Sequence, residues 1–222
     1  MTHIKTIKLT ILAISMLFLA PSCSKDDPTP ETDQEEVGTA KLVFTEVERE
    51  AHGDHYHYNP IPGTEPTEVL FEGDRLLPKE GTHLHLHVGK TYKLELVATD
   101  FAGRETQHTF VDRHDIHQAF ILKNPTTSLN GTLEYVYADR DADNARVNVG
   151  VTGYLTVVDE AETFVLRYVM RHLNPNVKNN ITPADWSSPN FTQFTGANDL
   201  DLKVEIHLVH HDHDHDDHDH GH

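Results

Sequence analysis

Apolar residues recur at every second position through much of the chain between Ala40 and Val209, in segments rich in Val, Tyr, Phe, Thr and Leu. A period of two is that of a strand with one face buried and the other wet. In "KLVFTEV", Leu42 and Phe44 alternate with polar neighbours and Val47 follows. In "TYKLELVATDFAG", Tyr92, Leu94, Leu96 and Ala98 share one face before a turn from Asp100 to Gly103. "TEVLFEG", "HQAFIL", "GTLEYVY", "ARVNVGVTGYLTVV", "TFVLRYVMRHL" and "DLDLKVEIHLV" repeat the pattern between Gly, Pro, Asn and Asp clusters. No long amphipathic helix competes with them. The best helical signal is "TPADW", where Thr182 caps, Pro183 takes the first helical position and Asp185 favours the amino end; it predicts a turn or two. The pattern predicts an all-β fold over residues 40–209, an antiparallel β-sandwich of about nine strands. Two smaller sandwiches meeting near "KNPTTSLNG", residues 123–131, are the alternative.

The stretch from Thr91 to Gly103 resembles a late strand of immunoglobulin-like bacterial surface domains, where a tyrosine and alternating leucines precede an Asp and a Gly-containing turn. The resemblance implies an immunoglobulin-like sandwich.

The ends of the chain break the pattern. Residues 1–22 carry Lys5 and Lys8, then an apolar run from Leu9 to Ala20 too short to cross a bilayer, which reads as a secretory signal peptide. Cys23 follows Ala20, Pro21 and Ser22, and the segment resembles the lipobox of bacterial lipoproteins, although Leu19 stands one place further from the cysteine than is usual. The resemblance implies lipidation at Cys23. Residues 23–39, including "SKDDPTPETDQEEVGT", are acidic and lack apolar periodicity, as a disordered tether would be. Lys25, Asp26 and Asp27 resemble the export signal of Bacteroidota-type surface lipoproteins, which implies an outer-membrane lipoprotein at the cell surface; the periplasmic face is the alternative.

Composition narrows the partners. Thirty-six acidic against eighteen basic residues give a formal charge of −18, which argues against nucleic acid and favours cations. A single cysteine excludes an intrachain disulfide and a thiolate metal cluster. Nineteen histidines offer imidazole nitrogens that are mostly unprotonated near neutral pH.

Those histidines are clustered. "AHGDHYHYNP" holds His52, His55 and His57, and "GTHLHLHVGK" holds His83, His85 and His87. On a strand, the second set puts three imidazoles on one face and Leu84, Leu86 and Val88 on the other. Side chains two apart stand roughly 6.5 to 7 Å apart at their bases, close enough for two rings to lean onto one ion. The His-x-His spacing is similar to carbonic-anhydrase-type zinc sites. His55 and His57 with His83 and His85 would form a four-histidine shell, His87 in reserve and Asp54 orienting a ring. His114 and His117, in "VDRHDIHQAF", form a further pair; the alternative is a polar loop edge. His108, His172 and His207 stand isolated in the sequence.

After Val209 the chain is a disordered tail, residues 210–222, with seven histidines (His210, His211, His213, His215, His218, His220 and His222) and five aspartates. Without a scaffold it would hold several ions loosely, as a local ligand reservoir. Imidazole with carboxylate suits Zn²⁺, with Cu²⁺ and Ni²⁺ as alternatives.

The reading is a lipid-anchored protein, not an enzyme, that binds a divalent transition metal for capture, buffering or delivery to an outer-membrane transporter. A zinc-dependent enzyme is the first alternative, though the chain lacks a nucleophile elbow, a His-Glu-x-x-His helix and a phosphate-cradling glycine loop. An adhesion or glycan-binding sandwich with a structural metal is the second, with Trp186, Phe191 and Phe194 as candidates for its exposed platform, although core packing is the expected role of at least the two phenylalanines.

Overall fold

The computed structural model describes residues 37–124, 127–129 and 131–210. The leader, Cys23, the linker as far as residue 36, and the tail from His211 onward lie outside the described residues. Strands β1 (Thr39–His52), β2 (His55–Pro60), β3 (Thr67–Glu72), β4 (Leu77–Pro78), β5 (His83–His87) and β6 (Thr91–Thr99) come first. After helix α1 (Gln107–Asp112) follow β7 (His117–Lys123), β8 (Leu133–Tyr137), β9 (Thr152–Val157), β10 (Phe164–Leu173) and β11 (Gly196–Val209). One sheet runs β4-β3-β1-β6-β9-β8 with β2 added to β1; the other runs β5-β11-β10-β7. The two pack as a β-sandwich. Pairing crosses residues 123–131 in both sheets, β6 with β9 and β7 with β10.

The period of two explains the packing. In β1 and β6, Ala40 faces Ala98, Leu42 faces Leu96 and Phe44 faces Leu94 across the ladder. These six join Leu166, Tyr168 and Met170 of β10 and Leu200, Leu202, Val204 and Ile206 of β11 in one core. Each large apolar side chain so enclosed contributes about 1.5–3 kcal/mol over its exposed state.

Strand β7 is buried on both faces. Its second face belongs to a smaller core in which Phe120, Leu122, Val169 and Leu173 meet Phe191 and Phe194 from the segment between β10 and β11. That segment lies over the outside of the four-stranded sheet. Phe191 and Phe194 are therefore buried, at 2% and 8% exposure, in the core-packing role anticipated for them, and Trp186 packs edge-on against Tyr137 at 4.6 Å, so the alternative of an exposed aromatic platform is not formed.

Other expectations are corrected in detail. The described residues hold eleven strands, not nine, and β5 pairs with β11 in parallel, so the sandwich is not wholly antiparallel. Of "ARVNVGVTGYLTVV" only Thr152–Val157 is strand. The preceding residues are pinned by the buried Asp139 carboxylate, which accepts from the backbone N–H of Gly150 (2.5 Å) and Thr152 (2.7 Å). Gly150 adopts φ 104°, and a Cβ there would lie 2.5 Å from the Ala119 methyl. "TPADW" forms a single 3₁₀ turn, Pro183–Asp185, closed by a Thr182–Asp185 capping box.

Candidate metal centres

β1 and β2 form a hairpin whose two-residue turn, Gly53–Asp54, sets His52 directly opposite His55. Gly53 has φ 65°, at the first central turn position, where a side chain would strain the backbone. Directly paired residues share a face, as do residues two apart, so this register collects His52, His55 and His57 on one side with Glu50. Tyr56, Tyr58 and Arg49 fall on the other. The ligand atoms of the three histidines all lie within 4.8 Å of one another, and all three side chains are exposed. His55 Nε2 is 3.1 Å from His57 Nε2, and His55 Nδ1 lies 3.2 Å from Asp54 Oδ1. With the Nδ1 proton given to Asp54, the Nε2 lone pair of His55 is turned toward His57, the arrangement that favours a metal-ready tautomer.

The opposite face of this hairpin tethers it to the seven-stranded sheet. Tyr58 stacks on Tyr154 of β9 at 3.7 Å and 6°, while Arg49 lies 3.6 Å over the Tyr56 ring and pairs with Glu134 of β8 at 3.3 Å.

The second group sits in the other sheet. His83 and His85 project from one face of β5, and the parallel register sets His207 of β11 beside His85. Ring centroids are 5.1 Å apart for His83 and His85, 4.7 Å for His83 and His207, and 5.3 Å for His85 and His207. His83 Nδ1 lies 2.9 Å from the Gly81 carbonyl, and His207 Nε2 lies 2.7 Å from Glu205 Oε1. His87 is half-buried at the end of the strand, where its backbone N–H donates to Tyr92 Oη at 2.9 Å. The expected shell of His55, His57, His83 and His85 is not assembled. The two pairs belong to different sheets, and each has found its own third imidazole, His52 for one and His207 for the other. His207, isolated in sequence, is therefore a member of a cluster.

A third group is buried. His117 of β7 and His172 of β10 are direct cross-strand partners. His117 Nε2 lies 3.3 Å from His172 Nδ1 and 3.3 Å from Asp199 Oδ2 of β11, and His172 Nδ1 lies 3.8 Å from the same oxygen. The side chains of His117 and Asp199 are 0% exposed and that of His172 is 14% exposed. The anticipated pairing of His114 with His117 is not made: His117 turns inward as the first residue of β7, while His114 stays in the preceding loop and offers its carbonyl to Lys178. Lys178 also donates to the His117 carbonyl at 2.6 Å, and burial pushes its pKa down to about 8.

His210 is exposed, 3.3 Å from Glu160 Oε1; the other tail histidines, His211, His213, His215, His218, His220 and His222, lie outside the described residues. His108 is exposed on α1. The described residues thus contain histidine clusters able to hold a metal ion. No protein-family model matches the chain, and no curated protein matches it.

Proposed function

We propose that this chain is an extracytoplasmic lipoprotein, anchored through Cys23, that captures and buffers zinc at exposed histidines and delivers it to an outer-membrane transporter. The observation that carries the reading is the β1–β2 hairpin tip, where register and a glycine turn bring three exposed imidazoles within 4.8 Å of one another. Three nitrogens on a solvent-facing arm can take an ion from solution and release it to another protein, as a buffer requires. Zn²⁺ is the ion best matched to imidazole nitrogens with an orienting carboxylate; Cu²⁺ and Ni²⁺ share the donor preference. The net charge of −18 raises the local concentration of any such cation. The His83, His85 and His207 group and the tail extend the capacity, because β11 ends at Val209 beside the second cluster.

Equilibrium dialysis with Zn²⁺ tests the reading. The full chain takes up more than one ion, His52→Ala with His55→Ala and His57→Ala removes a micromolar site, and removal of residues 210–222 lowers stoichiometry while sparing that site. Unchanged affinity and stoichiometry after the triple replacement would refute the hairpin as the capture site. Radiolabelled palmitate on the wild-type chain, absent from Cys23→Ala, tests the anchor separately.

A further inference from the structure

His117, His172 and Asp199 differ from the exposed imidazoles in every respect that matters to an ion. His117 shares a strand face with Ala119 and Ile121, and His172 with Met170, all members of the inter-sheet core, and Phe110 packs edge-on against the His117 ring at 5.2 Å. Asp199 reaches them because β11 carries one extra residue: Met170 pairs with Leu200 and the next residue, Arg171, with Asn198, so Asp199 is the bulged residue between them. A bulge re-aims a side chain that regular alternation would send to the other face. Gly196 lets β11 close on β10 here, since a Cβ at that position would lie 2.1 Å from the His172 carbonyl oxygen.

The Asp199 carboxylate calls for positive charge beside it. Neither carboxylate oxygen of Asp199 has a hydrogen-bond partner, and both are buried. A buried carboxylate without donors is strongly disfavoured. No nearby arginine or lysine hydrogen-bonds to Asp199: Arg171 feels the Asp199 charge, but its Nη groups donate to Asn198 Oδ1 and to the carbonyls of Phe194 and Gly196, and its buried Nε has no hydrogen-bond partner. Lys178 donates to the carbonyls of His114 and His117. His117 Nδ1 lies 3.1 Å from the Arg113 carbonyl, so in the neutral ring the proton is held at Nδ1 and the Nε2 lone pair faces His172 and Asp199. The three atoms that face one another are 3.3, 3.3 and 3.8 Å apart, at or beyond the long end of useful hydrogen bonds. Ligand atoms at about 2.0 Å from a tetrahedral ion stand about 3.3 Å from each other.

We propose that His117 Nε2, His172 Nδ1 and Asp199 Oδ2 form a buried site for one zinc-class divalent ion, which fastens β7, β10 and β11 together. It is a slow-exchanging structural seat, separate from the capture histidines. An ion enters past His172, the one member with an exposed edge. Its charge satisfies the Asp199 carboxylate, and its three ligands come from three adjacent strands, so it resists their separation.

The full chain, loaded with Zn²⁺ and then dialysed against a chelator weak enough to spare a buried site, retains one ion per chain by elemental analysis. His52→Ala with His55→Ala and His57→Ala keeps that ion, whereas Asp199→Asn, nearly isosteric, loses it. His172→Gln, at the exposed edge, serves if Asp199→Asn fails to fold. Replacement of the retained ion by Co²⁺ gives a visible ligand-field absorption in wild type and in the hairpin variant, and not in Asp199→Asn or His172→Gln. A chelator-resistant ion that survives in both Asp199→Asn and His172→Gln overturns the proposal. So does a wild-type chain that keeps no ion; zinc still bound in rapid exchange at the hairpin would then leave the capture function standing.

Discussion

Replacing Tyr154 with Ala removes the partner on which the histidine-bearing hairpin rests. Tyr58 and Tyr154 are stacked at 3.7 Å with their planes 6° apart. Such a pair contributes about 0.5–1.5 kcal/mol beyond the area it buries, which translates into about a 2- to 13-fold rise in the population of the undocked arm. The Arg49–Glu134 pair at 3.3 Å remains, so the arm is loosened and not released. An exposed ion pair supplies about 1 kcal/mol or less and does not compensate for the stack. Amide hydrogen exchange of the folded protein reads the effect: the β2 amides from His55 to Asn59 accelerate by about the same 2- to 13-fold, while those of β7, in the other sheet, change less. Zinc affinity at the hairpin is retained, because the turn and the β1–β2 register, not the docking, bring His52, His55 and His57 together. Unchanged exchange in β2, or an equal acceleration in β7 and β10, would refute this account of what holds the arm.

Two further outcomes follow from burial. Phe191→Ala opens the small outer core against Phe120, and because the covering segment is able to settle, the low end of the usual range applies, about 3 kcal/mol. That lowers the melting temperature by about 6–12 °C in a domain of this size; a shift within error of zero would show the segment to be unattached. Lys178, whose pKa is held down to about 8 by burial, titrates near that value by the ¹³C shift of its Cε. The unfolded chain holds this proton up to the ordinary lysine range, so between the two values it binds more protons than the folded chain, and stability rises with pH across that window. A midpoint near the ordinary lysine value would contradict the burial.

The strands with one apolar and one polar face were legible from alternation alone. β2 was not, because none of its residues is buried and its pattern carries no core signal. The burial of Phe191 and Phe194 was legible only from their apolar character, since a covering segment of short 3₁₀ turns has no period by which its inward side can be read. His-x-His spacing correctly placed His83 with His85 on one strand face, since that depends only on local geometry. The third members depend on pairing between strands far apart in the chain, which is why His207 and His172 looked solitary. Asp199 was hidden more deeply, since period-two counting sends it to the face opposite its partners and only the bulge corrects the count.

That bulge makes the buried carboxylate separable from the strand that carries it. Because Asp199 is the surplus residue of β11, loss of its single codon would leave Asn198 beside Arg171 and Leu200 beside Met170, with the ladder unbroken on either side. Removing that one residue would withdraw the acidic group while keeping the register of the strand that carries His207 and the root of the tail.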